Sequence, residues 1–172
     1  ILSICLDLED LGLPQHHGAA LCAKVARAGL EGAELSDLQR AEARRLLRRR
    51  GVGPQVEDGA LGQRLRDFIA RSATFAMPNR KAAYELTHIV FYLSDYGRRS
   101  PDLPKAALRS LHFTGLLAFL DQDMDLLAEV CAALRFAGQA PRPLWEDALA
   151  ASHRTMRVYA DVGAPLQDDY HE

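Results

Sequence analysis

Residues 80–96 read RKAAYELTHIVFYLSDY, and this stretch decides the fold. At about 100° per residue, Lys81, Glu85, His88, Tyr92 and Asp95 fall in one sector about 80° wide. Ala82, Tyr84, Leu86, Ile89, Val90, Phe91 and Leu93 fill most of the remaining circumference. That is the period of an α-helix, not the alternation of a strand. A helix that is apolar nearly all round must be covered on several sides, which calls for other helices packed against it.

The same punctuation continues outward. Asn79 caps this helix and Gly97 is its expected left-handed terminator. Pro101 and Pro104 form a turn, and helices follow at about 105–120, 124–137 (capped by Asp121 or Asp123, stopped by Gly138) and 144–161. Upstream, Ser36 and Gln39 make a capping box for a helix reaching Arg50 and ending at Gly51. Another helix is expected at 61–75, closed by Met77-Pro78, and one more begins near Pro14 and ends before Gly29. About seven helices joined by short links imply antiparallel αα-hairpins. The expectation is an all-α fold in a single domain over 1–172, with the spacing of a helical-repeat-like array but no repeat of fixed period.

Composition agrees. The chain has 27 Ala and 27 Leu against 15 residues of Val, Ile and Thr together, so helix formers dominate strand formers. At 172 residues and 48% hydrophobic it can bury a core without disulfides or a structural metal. Cys5, Cys22 and Cys131 are too few and too scattered for a disulfide framework or zinc finger, and suit a reducing compartment. No apolar run reaches membrane-spanning length. Residues 1–13 carry Asp7, Glu9 and Asp10, unlike a signal peptide. A cytoplasmic protein with no membrane partner is expected. The chain opens without Met and its tail stops without a cap, so residues beyond either end are expected.

The mixed stripe of residues 80–96 is where chemistry is expected. Ordinary solvent-facing stripes are Lys, Glu and Arg, whereas this one sets His88 and Tyr92 between the carboxylates Glu85 and Asp95. Glu85 and His88 are three apart and so side by side on a helix. Such a pair can ligate a metal, or a carboxylate can orient an imidazole for acid–base work. A di-iron centre needs two Glu-x-x-His motifs, and the chain has one. His112, among Leu111, Phe113 and Leu116, reads first as a buried core histidine. If its helix packs antiparallel to 80–96, it can reach the stripe and complete a set of Glu85, His88, Tyr92, Asp95 and His112.

Residues 85–97, ELTHIVFYLSDYG, resemble a motif of a family of uncharacterised helical actinobacterial proteins, some encoded among natural-product biosynthesis genes. The matching positions are Glu85, Thr87-His88, Phe91, Ser94-Asp95 and Gly97, with Ser94 where the family pattern has Thr. The resemblance covers 13 residues and implies an actinobacterial source and a biosynthetic role, but no particular reaction.

Other motifs read structurally. Residues 121–125, DQDMD, lack the Gly and Glu of a calcium loop, with Leu126 and Ala132 at those positions, and suit a helix start. They also fail to match the aspartate-rich magnesium motif of terpene cyclases. The arginines at 44, 45, 48, 49 and 50 sit at a helix C-terminus, where cations offset the dipole. They also suit docking of a partner protein or an anionic substrate. The near-neutral chain, net charge −2, argues against nucleic acid. His16 and His17 point about 100° apart and so are poorly placed to chelate one metal, and His153 is a surface or boundary residue. No phosphate loop, GxSxG or HExxH occurs.

Two functions follow. The first is an enzyme or enzyme subunit acting on a small biosynthetic intermediate by cofactor-free elimination, cyclisation or isomerisation in an interhelical pocket. There Glu85 or Asp95 would orient His88, which moves the proton, and Tyr92 would donate to developing negative charge. The second is a non-catalytic helical scaffold that binds a partner protein or a second copy of itself.

Overall fold

A computed structural model describes residues 2–13, 17–53 and 58–156. Within them the chain is all-α: nine α-helices and one 3₁₀ turn, with no strand. The described residues fall into two compact units, divided between Phe68 and Ile69.

In the first unit, α1 (Leu2–Asp10), α2 (Gly18–Arg27) and α3 (Asp37–Arg48) enclose Leu6, Cys22, Ala26, Leu46 and Leu47. Each buried leucine contributes about 1.5–3 kcal/mol. Ser36 caps α3 by accepting the Gln39 N–H at 3.1 Å, as the capping box predicts. The helix α1 was not legible from residues 1–13, because three acids near a helix C-terminus oppose its dipole. Arg49 and Arg50, distant in sequence, answer them. Arg49 meets Asp7 at 2.7 Å and Asp10 at 2.5 Å, while Arg50 meets Glu9 at 2.8 Å and Asp10 at 3.0 Å. Glu9 also accepts the Gly18 N–H at 2.6 Å, at the start of α2. A Cβ on Gly18 would lie 2.4 Å from that carboxylate, so a larger residue there would have to displace the Glu9 and Leu6 side chains. Much of the arginine run is therefore engaged within this unit. The helix α4 (Leu61–Ile69) carries Arg64, which bridges Asp37 at 2.8 Å and Asp58 at 2.6 Å.

The second unit contains α5 (Ser72–Phe75), α6 (Arg80–Ser94), α7 (Lys105–Asp121), α8 (Met124–Phe136) and α9 (Pro143–Thr155). The expected helix 61–75 is thus divided. Arg71 leaves helical geometry at φ −76°, ψ 64°, and the Ser110 hydroxyl takes the Ile69 carbonyl at 2.6 Å. That hydrogen bond occupies an acceptor which a continuous helix would use itself. Helix α6 is capped by Asn79 as expected. Its end differs from expectation: Asp95 and Tyr96, not Gly97 alone, take left-handed φ values of 48° and 54°. The Phe136 ring lies where a Gly97 side chain would be, 2.6 Å from its Cβ position, so Gly97 serves close packing as well as the turn.

Helix α8 packs against α6, α7 and α9 and forms the middle of this unit. Trp145 on α9 is 1% exposed and lies over Gly115 of α7. The last expected helix, 144–161, is observed as Pro143–Thr155 and ends at Met156 in extended geometry; positions 157–161, with His16 and the tail at 168–172, lie outside the described residues. Cys22 and Cys131 are buried thiols, in keeping with small core residues. Among the described residues no helix is long and apolar enough to cross a membrane.

A Cβ at position 115 would sit 2.6 Å from two ring atoms of Trp145 and 3.1 Å from Val130. Gly115→Ala gains helix propensity of about 1 kcal/mol but overpacks a rigid, buried ring at about 1–3 kcal/mol. The expected outcome is net destabilisation, read as a lower urea midpoint at unchanged slope. A raised midpoint would contradict this close packing.

Candidate functional site

The polar groups of the second unit gather along the seam between α6 and α8, which run in the same direction. Arg80 faces Asp123 at 3.5 Å. One turn on, the Tyr84 hydroxyl donates to Asp125 at 2.6 Å. A further turn brings Thr87 and His88 to Glu129: the Thr87 hydroxyl lies 2.5 Å from Glu129 Oε2, and His88 Nδ1 lies 3.8 Å from the same oxygen.

His88 Nδ1 is 2.7 Å from the Tyr84 carbonyl oxygen. A carbonyl only accepts, so this contact requires the proton on Nδ1. In the neutral ring Nε2 is then the lone-pair nitrogen. It has no hydrogen-bond partner among the described residues, and the side chain is 29% exposed. The rings of Tyr84, Phe91 and Tyr92 stand 6.4, 5.8 and 6.0 Å from the imidazole and hold it between them. The Tyr84 phenol is pushed up to about 12 by burial and by its bond to Asp125, so it remains a neutral donor.

The five residues expected to form one site are not all brought together. Glu85 lies on the same face but pairs with Lys81 at 4.0 Å; the carboxylate beside His88 is Glu129, from another helix. Tyr92 is 9% exposed and packs edge-on against His88. Asp95 is the C-cap of α6 and meets Arg98 at 3.5 Å. His112 lies apart from these contacts, with its ring 6.1 Å from Trp145. Among the described residues, no three His, Cys, Asp or Glu side chains converge as a metal would require. A cleft of about 130 Å³ opens in this unit, but α6 lines it through Arg80 and Ala83 in its first turn and not through any of the expected five.

Glu129 is the member that sequence reasoning missed. Its signal is its isolation: it is the one charged residue in LLAEVCAAL, residues 126–134. A lone carboxylate on an apolar helix is seldom buried without a partner. Asp123 caps α8 by accepting the Leu126 N–H at 3.1 Å, which confirms the capping reading of DQDMD and identifies the capping aspartate.

His112 Nδ1 is shut off from solvent with no hydrogen-bond partner. Burial, aided by Arg142, holds the ring below the usual histidine range. The unfolded chain therefore takes up this proton more readily than the native one. Stability should be undiminished by this group above pH about 6.5 and should fall as the pH drops below that value. Urea midpoints from pH 7.5 to 5 should show the decline, and His112→Leu should flatten it; an unchanged slope would contradict the buried neutral ring.

No curated protein and no solved structure matches the chain. The family model described as a domain of unknown function, DUF6902, matches residues 1–172, and the chain belongs to the DUF6902 family.

Proposed function

We propose that the chain is an enzyme or enzyme subunit that moves a proton on a small biosynthetic intermediate, with His88 as the acid–base group. The observation that carries this reading is the 2.7 Å contact between His88 Nδ1 and the Tyr84 carbonyl oxygen, which makes Nε2 the accepting atom. In the proposed cycle Nε2 removes a proton from the substrate, and the imidazolium so formed is favoured by the Glu129 carboxylate 3.8 Å from Nδ1. Returning the proton at a second position is an isomerisation; losing a leaving group from the anion is an elimination; capture by an internal electrophile is a cyclisation. None of these requires a redox partner. The setting in natural-product biosynthesis, an actinobacterial source and a cytoplasmic location are proposals from the resemblance of residues 85–97 and from cysteine usage.

A scaffold role is the second reading, favoured by Leu116 and Leu120. These lie one turn apart on α7 and are 47% and 65% exposed. A partner protein or a second copy would cover them.

Base-catalysed ring opening of 5-nitrobenzisoxazole separates the two readings, because it needs only removal of one carbon-bound proton. The expected rate exceeds that of equimolar free imidazole and falls at least about tenfold in His88→Ala. Glu85→Gln should stay within about threefold, since Glu85 does not touch the ring. A wild-type rate no better than imidazole, or a His88→Ala rate equal to wild type, removes the proton-transfer reading. A change of oligomeric state in Leu116→Glu/Leu120→Glu, measured by light scattering, would then support the scaffold.

A further inference from the structure

The cleft of the second unit has features that the proton-transfer reading does not use. Its floor is apolar and fully packed: Phe75, Ala118 and Leu126 are 3%, 2% and 6% exposed. At about 130 Å³ it is close to the size of cavities that take a single aromatic ring. Thr114 lines it and is 97% buried, yet its hydroxyl makes no hydrogen bond to any described residue. A hydroxyl on the cleft wall with no protein partner is open to a hydrogen bond with whatever occupies the cleft. At the rim, Asp123 is engaged by Arg80 and by the cap of α8. Asp121 has no cationic partner among the described residues, and it is the last residue of α7, where the helix dipole already presents negative charge. That end of the cleft thus carries two carboxylates, Asp121 and Asp123, against the one guanidinium of Arg80, while its floor is apolar and Thr114 adds a hydroxyl to its wall.

Thr114 and Asp121 are seven residues apart on α7, which is about 10 Å along a helix axis. We propose that this cleft binds a small aryl-alkyl amine: the ring on the Phe75–Ala118–Leu126 floor, the ammonium at Asp121, and a hydroxyl or other polar group at the far end on Thr114. The assignment goes beyond the His88 reading and stands apart from it. His88 is two turns further along α6 and does not line the cleft.

The test is binding of three probes to the full chain by ¹H–¹⁵N NMR titration. Tyramine carries ring, amine and distal hydroxyl; phenethylamine lacks the hydroxyl; 4-hydroxyphenylacetate replaces the amine by an anion. The expected order is tyramine, then phenethylamine weaker by about fivefold, then the acid, weakest, with shifts centred on Thr114, Ala118 and Asp121. Thr114→Val should bring tyramine down to phenethylamine, and Asp121→Asn should weaken both amines by about fivefold or more. Ala118→Leu fills the floor and should abolish binding. If it unfolds by circular dichroism, the Thr114 and Asp121 variants decide alone. No shifts at about 10 mM of any probe, equal affinity for the acid and the amines, or affinities unmoved in Thr114→Val and Asp121→Asn would each overturn the proposal.

Discussion

A carboxylate held inside a helical bundle sets the terms for the second unit. Glu129 sits on α8, the helix that α6, α7 and α9 all touch, and its side chain is 17% exposed. A charge so placed is tolerated only with good partners. Thr87 supplies a hydroxyl at 2.5 Å and His88 a ring nitrogen at 3.8 Å. Meeting both fixes the axial register of α6 on α8, because a slip of one residue would turn these groups about 100° away. The pairs Arg80–Asp123 and Tyr84–Asp125 then fall into line along the same seam, and Phe91 reaches Phe136 at its far end with ring centroids 5.6 Å apart.

The first unit solves a related problem at its surface. Three acids at the end of α1 would oppose the helix dipole if left alone. Arg49 and Arg50, carried at the end of α3, neutralise them, and the N-terminus of α2 takes Glu9 as well. The Gly18 N–H, and after it Arg50, hold the Glu9 carboxyl below the usual carboxylate range. The near-zero net charge of the chain thus arises partly from charges that meet one another.

Elements with a complete local signal could be read from the sequence. Helix α3 has its capping box, α6 its Asn79 cap and α8 an Asp at its start, and each is found where these residues place it. Non-local partners were out of reach. Helix α1 depends on arginines some 40 positions away, and the break before α5 involves a hydroxyl on α7. The candidate site divided in the same way. His88, Tyr92 and Glu85 share a face because the helix period dictates it, but which carboxylate approaches the imidazole depends on how α8 packs. Glu85, three residues from His88, turned to Lys81, and Glu129 took its place. His112 met Trp145 because Gly115 lets the indole lie against α7.

One consequence belongs to the Tyr84 carbonyl. The atom that places the proton on His88 is part of the main chain, so every amino acid at position 84 would supply it. The phenol at that position is left for another task, the bond to Asp125. Protonation of the ring and adhesion between α6 and α8 are therefore written into different atoms of the same residue. Substitution over evolutionary time can loosen or retune the helix contact at position 84 while the imidazole keeps the same tautomer.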